Sequence, residues 1–237
     1  EQEVAFQSTL LNFSVLPDHN ADTVTKATVT AIEPFKDSIT AAPKVQFSEA
    51  GSIKRWILGD NYREDWATPI KLKVFEINKE KQVFTIKSVG GGKQTNTLTL
   101  EDKKGRQWAL RTINKDPSKA IPENFHNSIA EDIAQDFISG SYPYASMIVS
   151  ALADTLSIVA PKPELFFVPD DPAFGFYQPI FANQIVMLEK KDPSLDETDT
   201  KSSFTVFDKL TEDNDHRVDQ KGVLKARLLD ILVGDWD

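Results

Sequence analysis

Cysteine is absent from the sequence, and histidine occurs only three times in 237 residues. Without cysteine the protein has no disulfide framework, no thiolate-bound zinc or iron–sulfur site and no thiol nucleophile. The histidines, His19, His126 and His216, stand in unrelated contexts, without the H-E-x-x-H or H-x-H spacing of a metal-dependent hydrolase. The sequence therefore gives little support to a hydrolase.

Positive charge and long apolar runs are scarce as well. The chain has 27 Lys and Arg against 36 Asp and Glu, which gives a net charge of −9. Such a surface repels a phosphate backbone, so we expect no nucleic-acid partner. No stretch approaches the ~18 continuous apolar residues of a membrane-spanning helix, so we expect no such helix. The apolar fraction of 40%, with 15 Phe, is nevertheless sufficient for a packed core.

The two ends of the sequence suggest a part of a longer polypeptide. The chain begins at Glu1 without an apolar leader, and it stops at Asp237 directly after the largely apolar residues 228–236. Most domains close with polar, frayed residues. We therefore expect flanking domains of a longer polypeptide as partners.

Alternation of apolar and polar residues with period two predicts a β-rich first half. It occurs within residues 1–50, for example at 23–30, and again at 70–77, 82–88, 97–100 and 107–113. The turn at 102–105 joins the last two strands into a hairpin. Residues 58–69, rich in Gly, Asn and aromatic side chains, are predicted to form a packed loop. Short apolar runs at 165–168 and 184–188 predict two buried strands.

Helical periodicity begins after Pro122, where Ile129, Ile133 and Phe137 follow one another at i, i+4 and i+8. Ser128 or Asn127 can cap this helix. Further helices are predicted at 145–158, and, after a polar linker over 191–203, at 204–213 and 219–233. The expected fold is α+β, an antiparallel β-sheet with packed helices. Three regions result: 1–50, which either belongs to this domain or ends an upstream one, then 51–190, and 191–237.

A glycine cluster is the first feature that could carry chemistry. Gly90, Gly91, Gly92 and Lys93 stand between two predicted strands, where backbone without side chains can approach a polyphosphate and donate N–H groups. A flexible hairpin loop is the more common use of such a cluster.

Two cations and a helix carboxylate form the second feature. Strand alternation places Arg111 on one face with Ala109, Ile113 and Lys115. Each cation either extends to solvent or meets an anion. Glu131, on the following helix, either pairs with such a cation, as in a protein kinase, or stabilises its own helix N-terminus.

Two carboxylates at the end of the chain are the third feature that could carry chemistry. Gly234 can end the last helix in a left-handed turn, which places Asp235 and Asp237 in the loop that follows. Carboxylates at i and i+2 suit a cation site or a catalytic base with a supporting neighbour. A Gly-Asp helix stop is also common without any catalytic role.

Together these features occur in the order of the parts of a protein kinase: glycine-rich hairpin, strand with a cation, helix with a carboxylate, two strands, linker, and a helix that delivers Asp. The chain resembles the atypical kinases of the HipA, CotH and Golgi-kinase kind, in which an apolar helix leads into a loop similar to residues 232–237. From about residue 88 it also looks like the kinase-like region of large Bacteroidetes surface proteins. The similar stretches are 58–66, 90–95, 110–117, 130–133, 168–172, 212–215 and 226–230.

This resemblance implies a kinase-like N-lobe over 51–190 and the first helices of a C-lobe over 191–237. It implies ATP and Mg²⁺ as cofactors and a periplasmic or cell-surface location. Gly90, Gly91, Gly92 and Lys93 would cover the nucleotide phosphates, and Arg111 or Lys115 would replace the strand lysine. Glu131 would be the cation's partner, Glu189 would lie near the hinge, and Asp237 would accept the substrate proton.

The sequence departs from the kinase pattern in two ways. Arg111 stands where the kinase pattern has lysine, and its planar guanidinium differs from the compact ammonium of lysine. The sequence also lacks the Arg-His and the metal ligands that such a kinase has after the residue corresponding to Asp237. Two hypotheses follow: a part of an atypical kinase-like domain that needs further sequence for phosphoryl transfer, and a non-catalytic pseudokinase-like or scaffold module of a surface protein.

Overall fold

In a computed structural model the chain forms one mixed sheet with helices on both sides. The structure describes residues 28–31, 37–78, 83–90, 95–117, 121–194 and 200–235. The strands within these residues are β1 (Thr28–Ala31), β2 (Ser38–Ala42), β3 (Ile70–Val74), β4 (Thr85–Gly90), β5 (Thr97–Glu101), β6 (Gln107–Thr112), β7 (Glu164–Val168) and β8 (Gln184–Lys190). Their order across the sheet is β1-β2-β3-β7-β8-β6-β5-β4. Strands β3 and β7 run parallel, and the other neighbouring pairs are antiparallel. The predicted α+β class is confirmed.

The α-helices of the described residues are short. They are α1 (Ser52–Leu58), α2 (Arg63–Ala67), α3 (Ile129–Phe137), α4 (Ala145–Thr155), α5 (Gln178–Phe181), α6 (Ser203–Glu212) and α7 (Gln220–Val233). Among the helices that the structure describes, none combines the length and the apolar character that crossing a membrane requires.

The two faces of the sheet carry separate cores, as strand alternation requires. One core contains Leu98, Leu110 and Val186 from the central strands, packed against Phe174 and Phe181. The other core contains Phe167 of β7, Ile185 of β8 and Ile113, which directly follows β6. Trp66 and Ile138, from helical segments, pack against them. The predicted alternation along β6 is therefore confirmed.

Residues 38–42 share the sheet with the region that follows them. Strand β2 pairs with β3, with Ile39 opposite Leu72 and Ala41 opposite Ile70. Strand β1 adds to the other edge of β2. The sheet is thus continuous across residue 50, and the division of the chain into three regions stays a prediction.

One local prediction was wrong. Residues 58–69 are not simply a loop, because α2 lies within them and buries Arg63 and Trp66.

The predicted helix after Pro122 is present as α3, but its apolar stripe is largely exposed. Ile129 and Phe137 are exposed, and the buried residue of that helix is Asp136. Helix α3 packs through its charged side because Asp136 forms a buried ion pair with Arg63 of α2.

Candidate functional site

Strand β6 places Arg111 in a row of residues that crosses the sheet. Gly90 pairs with Thr97, Thr97 with Arg111, and Arg111 with Met187 of β8. Directly opposed residues of antiparallel strands point to the same face. The glycine that begins the predicted phosphate loop therefore lies two strands, about 10 Å, from the candidate cation.

Arg111 pairs with Glu189, not with Glu131. The Nε of Arg111 donates to Oε1 of Glu189 at 2.8 Å, and the two side chains are 43% and 14% exposed. Glu189 is two residues from Met187 on the adjacent strand, so the pair is a diagonal neighbour on one sheet face. The hinge position that the resemblance implies for Glu189 stays a prediction, and the structure shows Arg111 as an ionic partner of this carboxylate.

Glu131 stabilises its own helix. Its Oε2 accepts a hydrogen bond from the backbone N–H of Asn127 at 2.5 Å. Ser128 is the N-cap, with a side chain that accepts from the N–H of Ala130. The two bonds form a capping arrangement at the start of α3. The prediction that Glu131 pairs with the strand cation is therefore wrong, because the capping bond holds this carboxylate at the helix terminus.

The end of the glycine hairpin is described in part. Gly90 closes β4, whereas Gly91, Gly92 and Lys93 lie outside the described residues. Across from Gly90, the hydroxyl of Thr97 is buried, and it has no hydrogen-bond partner in the part of the chain that the structure describes. A buried unpaired hydroxyl costs free energy unless a partner reaches it. Thr97 thus offers a donor or acceptor beside Arg111.

A cavity of about 350 Å³ lies beside Glu189. Ser146 and Val149 of α4, Pro161 and Pro163 line one side, and Val233, Gly234 and Asp235 line another. Its volume is at the lower end of the range for small-molecule sites. The structure therefore brings the carboxylate partner of Arg111 together with the loop after α7.

The end of α7 has the predicted left-handed stop. Gly234 has φ +73°, and the N–H of Asp235 donates to the carbonyl of Asp230 at 2.9 Å. Asp237, the predicted catalytic base, lies outside the described residues. Lys115 follows β6 and is half-buried, and its backbone carbonyl accepts from Gln135 of α3 at 3.5 Å.

A buried ionic contact between α2 and α3 could not be found from the sequence. Arg63 of α2 donates to both carboxylate oxygens of Asp136 on α3, at 2.8 and 2.5 Å, and neither side chain is more than 1% exposed. Lys54 of α1 contacts the same carboxylate at 2.8 Å. Burial by itself raises the pKa of Asp136, but the hydrogen bonds from Arg63 and Lys54 outweigh it and lower the pKa. The carboxylate of α3 that meets a buried cation is thus Asp136, one turn beyond Asp132.

A faint signal of this pair was present in the sequence. Arg63 belongs to the stretch 58–66 that carries part of the kinase-like resemblance, and Asp136 lies on the helix predicted to hold a paired carboxylate. The pair fixes α3 against α2, and so it sets the side of the sheet on which this helix lies.

No metal site is formed by the described part of the chain: it contains no group of three or more His, Asp or Glu side chains that could hold an ion. Comparison of the chain with protein-family models, curated proteins and solved structures finds no match in any of the three.

Proposed function

We propose that the chain contributes the nucleotide-binding sheet of an atypical kinase-like domain. Phosphoryl transfer would need the loop at Asp237 together with sequence that follows it. One observation carries the proposal: Glu189, the ionic partner of Arg111, lines one cavity with the Gly234-Asp235 loop. Arg111 itself stands in the sheet row that begins at Gly90.

The order of the elements supports the same proposal. An antiparallel hairpin, β4–β5, is followed by β6 with its cation, helices α3 and α4, strands β7 and β8, and then α6 and α7. This is the chain order of the parts in a protein kinase. The proposed periplasmic or cell-surface location rests on the resemblance alone.

Arg111, in the sheet row that begins at Gly90, would bind the phosphates of the nucleotide. ATP supplies the phosphoryl group when it is bound. The bond to Glu189 uses Nε of Arg111, and the Arg111 side chain remains 43% exposed, which leaves its other guanidinium nitrogens for a phosphate oxygen. Glu189 would hold the guanidinium in place. No step is assigned to Mg²⁺: the described residues contain no group of three or more His, Asp or Glu side chains that could hold an ion.

ATP titration by calorimetry tests this function on the chain as it stands and on a longer chain that continues past Asp237. We expect weak binding by the chain and stronger binding by the longer chain. Arg111→Ala should weaken binding about tenfold, the loss of one charge-assisted contact to phosphate. Arg217→Ala, which removes an exposed arginine between α6 and α7, is the matched control. If neither chain binds ATP, or if both variants lose affinity equally, the proposal fails.

A second candidate is a non-catalytic scaffold of a surface protein, and the exposed apolar faces of α6 and α7 favour it. Phe204 and Phe207 of α6, and Leu224, Leu228 and Leu232 of α7, are all exposed. Large apolar side chains exposed at helical spacing favour contact with another polypeptide. If the longer chain protects α6 and α7 from amide hydrogen exchange but does not bind ATP, the scaffold replaces the kinase-like proposal.

A further inference from the structure

A cleft of about 740 Å³ lies between the β5–β6 turn and the chain that leaves β8. Five cationic residues line it: Lys104, Arg106, Lys190, Lys191 and Lys201. Asp192 is the one acidic residue in this lining, as far as the chain is described. The concentration of positive charge is unusual for a chain whose net charge is −9.

The first wall of the cleft is a turn that a buried carboxylate holds in shape. Asp102 accepts from the backbone N–H of Lys104 at 2.9 Å and from the N–H and Nε of Arg106 at 3.1 and 2.8 Å. Trp108 Nε1 donates to the same carboxylate at 3.1 Å. Gly105 has φ +76°, which lets the turn close. Lys104 and Arg106 are therefore presented from a pre-formed turn.

The second wall continues from β8. The N–H of Lys191 donates to the carbonyl of Gln107 at 3.0 Å, and its Nζ lies 3.3 Å from the Gln107 side-chain oxygen. Asp192 accepts from the N–H and hydroxyl of Thr200 at 3.0 and 2.5 Å. This contact holds Thr200 beside Asp192, and the next residue, Lys201, lines the cleft. The carboxylate of Asp192 thus stabilises this wall of the cleft through its bonds to Thr200.

We propose that this cleft binds a small multivalent anion that carries phosphate or sulfate groups. Cations from three separate parts of the chain converge on one concave surface, which raises the local concentration of an anion in spite of the net negative charge. An anion with two or more charged groups can reach both walls, whereas a monovalent one cannot. The cleft lies at the opposite end of β6 from Arg111, so the proposal does not depend on the nucleotide site.

Three carboxylates, Asp196, Glu197 and Asp199, occur in the sequence between Asp192 and Thr200, within residues that the structure does not describe. Their charges are part of the net negative charge of the chain, which opposes the binding of any anion. The experiment therefore includes a variant in which the three are neutralised.

Calorimetric titration of the full chain at low ionic strength tests the site, with inorganic tripolyphosphate and a trisulfated disaccharide as probes. K104Q/K191Q/K201Q should weaken binding about tenfold or more, and K71Q/K73Q/K221Q, with the same change of net charge, by less than about twofold. D196N/E197Q/D199N should tighten binding.

Binding of either probe with this pattern supports the proposal, and the tighter probe shows whether phosphate or sulfate is preferred. The proposal is overturned if the wild type and D196N/E197Q/D199N both fail to bind either probe. It is also overturned if the two triple lysine variants weaken binding equally, because general attraction to the surface then explains the binding.

Discussion

The buried ion pair between Arg63 and Asp136 makes the sharpest prediction about stability. Asp136→Asn keeps the size of the side chain but leaves the Arg63 guanidinium, which is fully buried, without its counter-charge. Breaking a buried pair by removing one partner costs about 3–5 kcal/mol. We expect a loss of this size in the free energy of unfolding, measured by urea denaturation with tryptophan fluorescence, because Trp66 lies on the same short helix as Arg63.

Two further variants make this test specific. Asp132→Asn removes an exposed carboxylate from the first turn of the same helix and should cost no more than about 1 kcal/mol. R63M/D136L replaces both charges by apolar groups and should recover a large part of the loss. The reasoning is refuted if Asp136→Asn costs no more than Asp132→Asn, or if the double variant is as unstable as the sum of its single variants.

Three further predictions concern single side chains. Hydrogen bonds from Arg106 and its neighbours outweigh the effect of burial and lower the pKa of Asp102 to about 2. The stabilisation is therefore present above the ordinary pKa of 3.8 and is lost as pH falls through about 2, so Asp102→Asn should cost about 2 kcal/mol at neutral pH in urea unfolding. Burial lowers the pKa of Lys44 from 10.5 to about 8, and the unfolded chain then binds more protons between these values. Stability should rise by up to about 3 kcal/mol as pH increases across this window, and Lys44→Met should abolish the rise in the same assay. Glu131→Ala should cost about 0.5–1 kcal/mol of stability through its cap and leave ATP affinity unchanged, whereas a lower ATP affinity would restore Glu131 to the site.

The strands could be predicted well because the alternation that indicates them lies within short stretches of sequence. Alternation along residues 97–100 and 107–113, with turn residues between them, is enough to predict a hairpin, and β5 and β6 pair with Leu98 opposite Leu110. Alternation also predicted correctly that Arg111 and Leu110 lie on opposite faces. The left-handed stop at Gly234 follows from glycine alone.

The ionic partners could not be predicted in the same way. Alternation assigns a residue to a face but does not say which strand lies beside it, and Glu189 becomes the neighbour of Arg111 only because β8 pairs with β6. Arg63 and Asp136 are 73 residues apart, so no local pattern connects them. For α3, the spacing of apolar residues predicted the helix, but the ion pair between Asp136 and Arg63 decides which side of this helix packs against its neighbours.

The central claim is that Arg111 binds nucleotide phosphate at the sheet row that begins at Gly90. Calorimetric titration with ATP, comparing Arg111→Lys with Arg111→Met, tests it most directly. Lysine keeps the charge, and it is the residue that the kinase pattern has at this position. We predict that Arg111→Lys stays within about threefold of the wild type while Arg111→Met loses about tenfold. Equal affinity of the two variants, whether retained or lost, would contradict the claim.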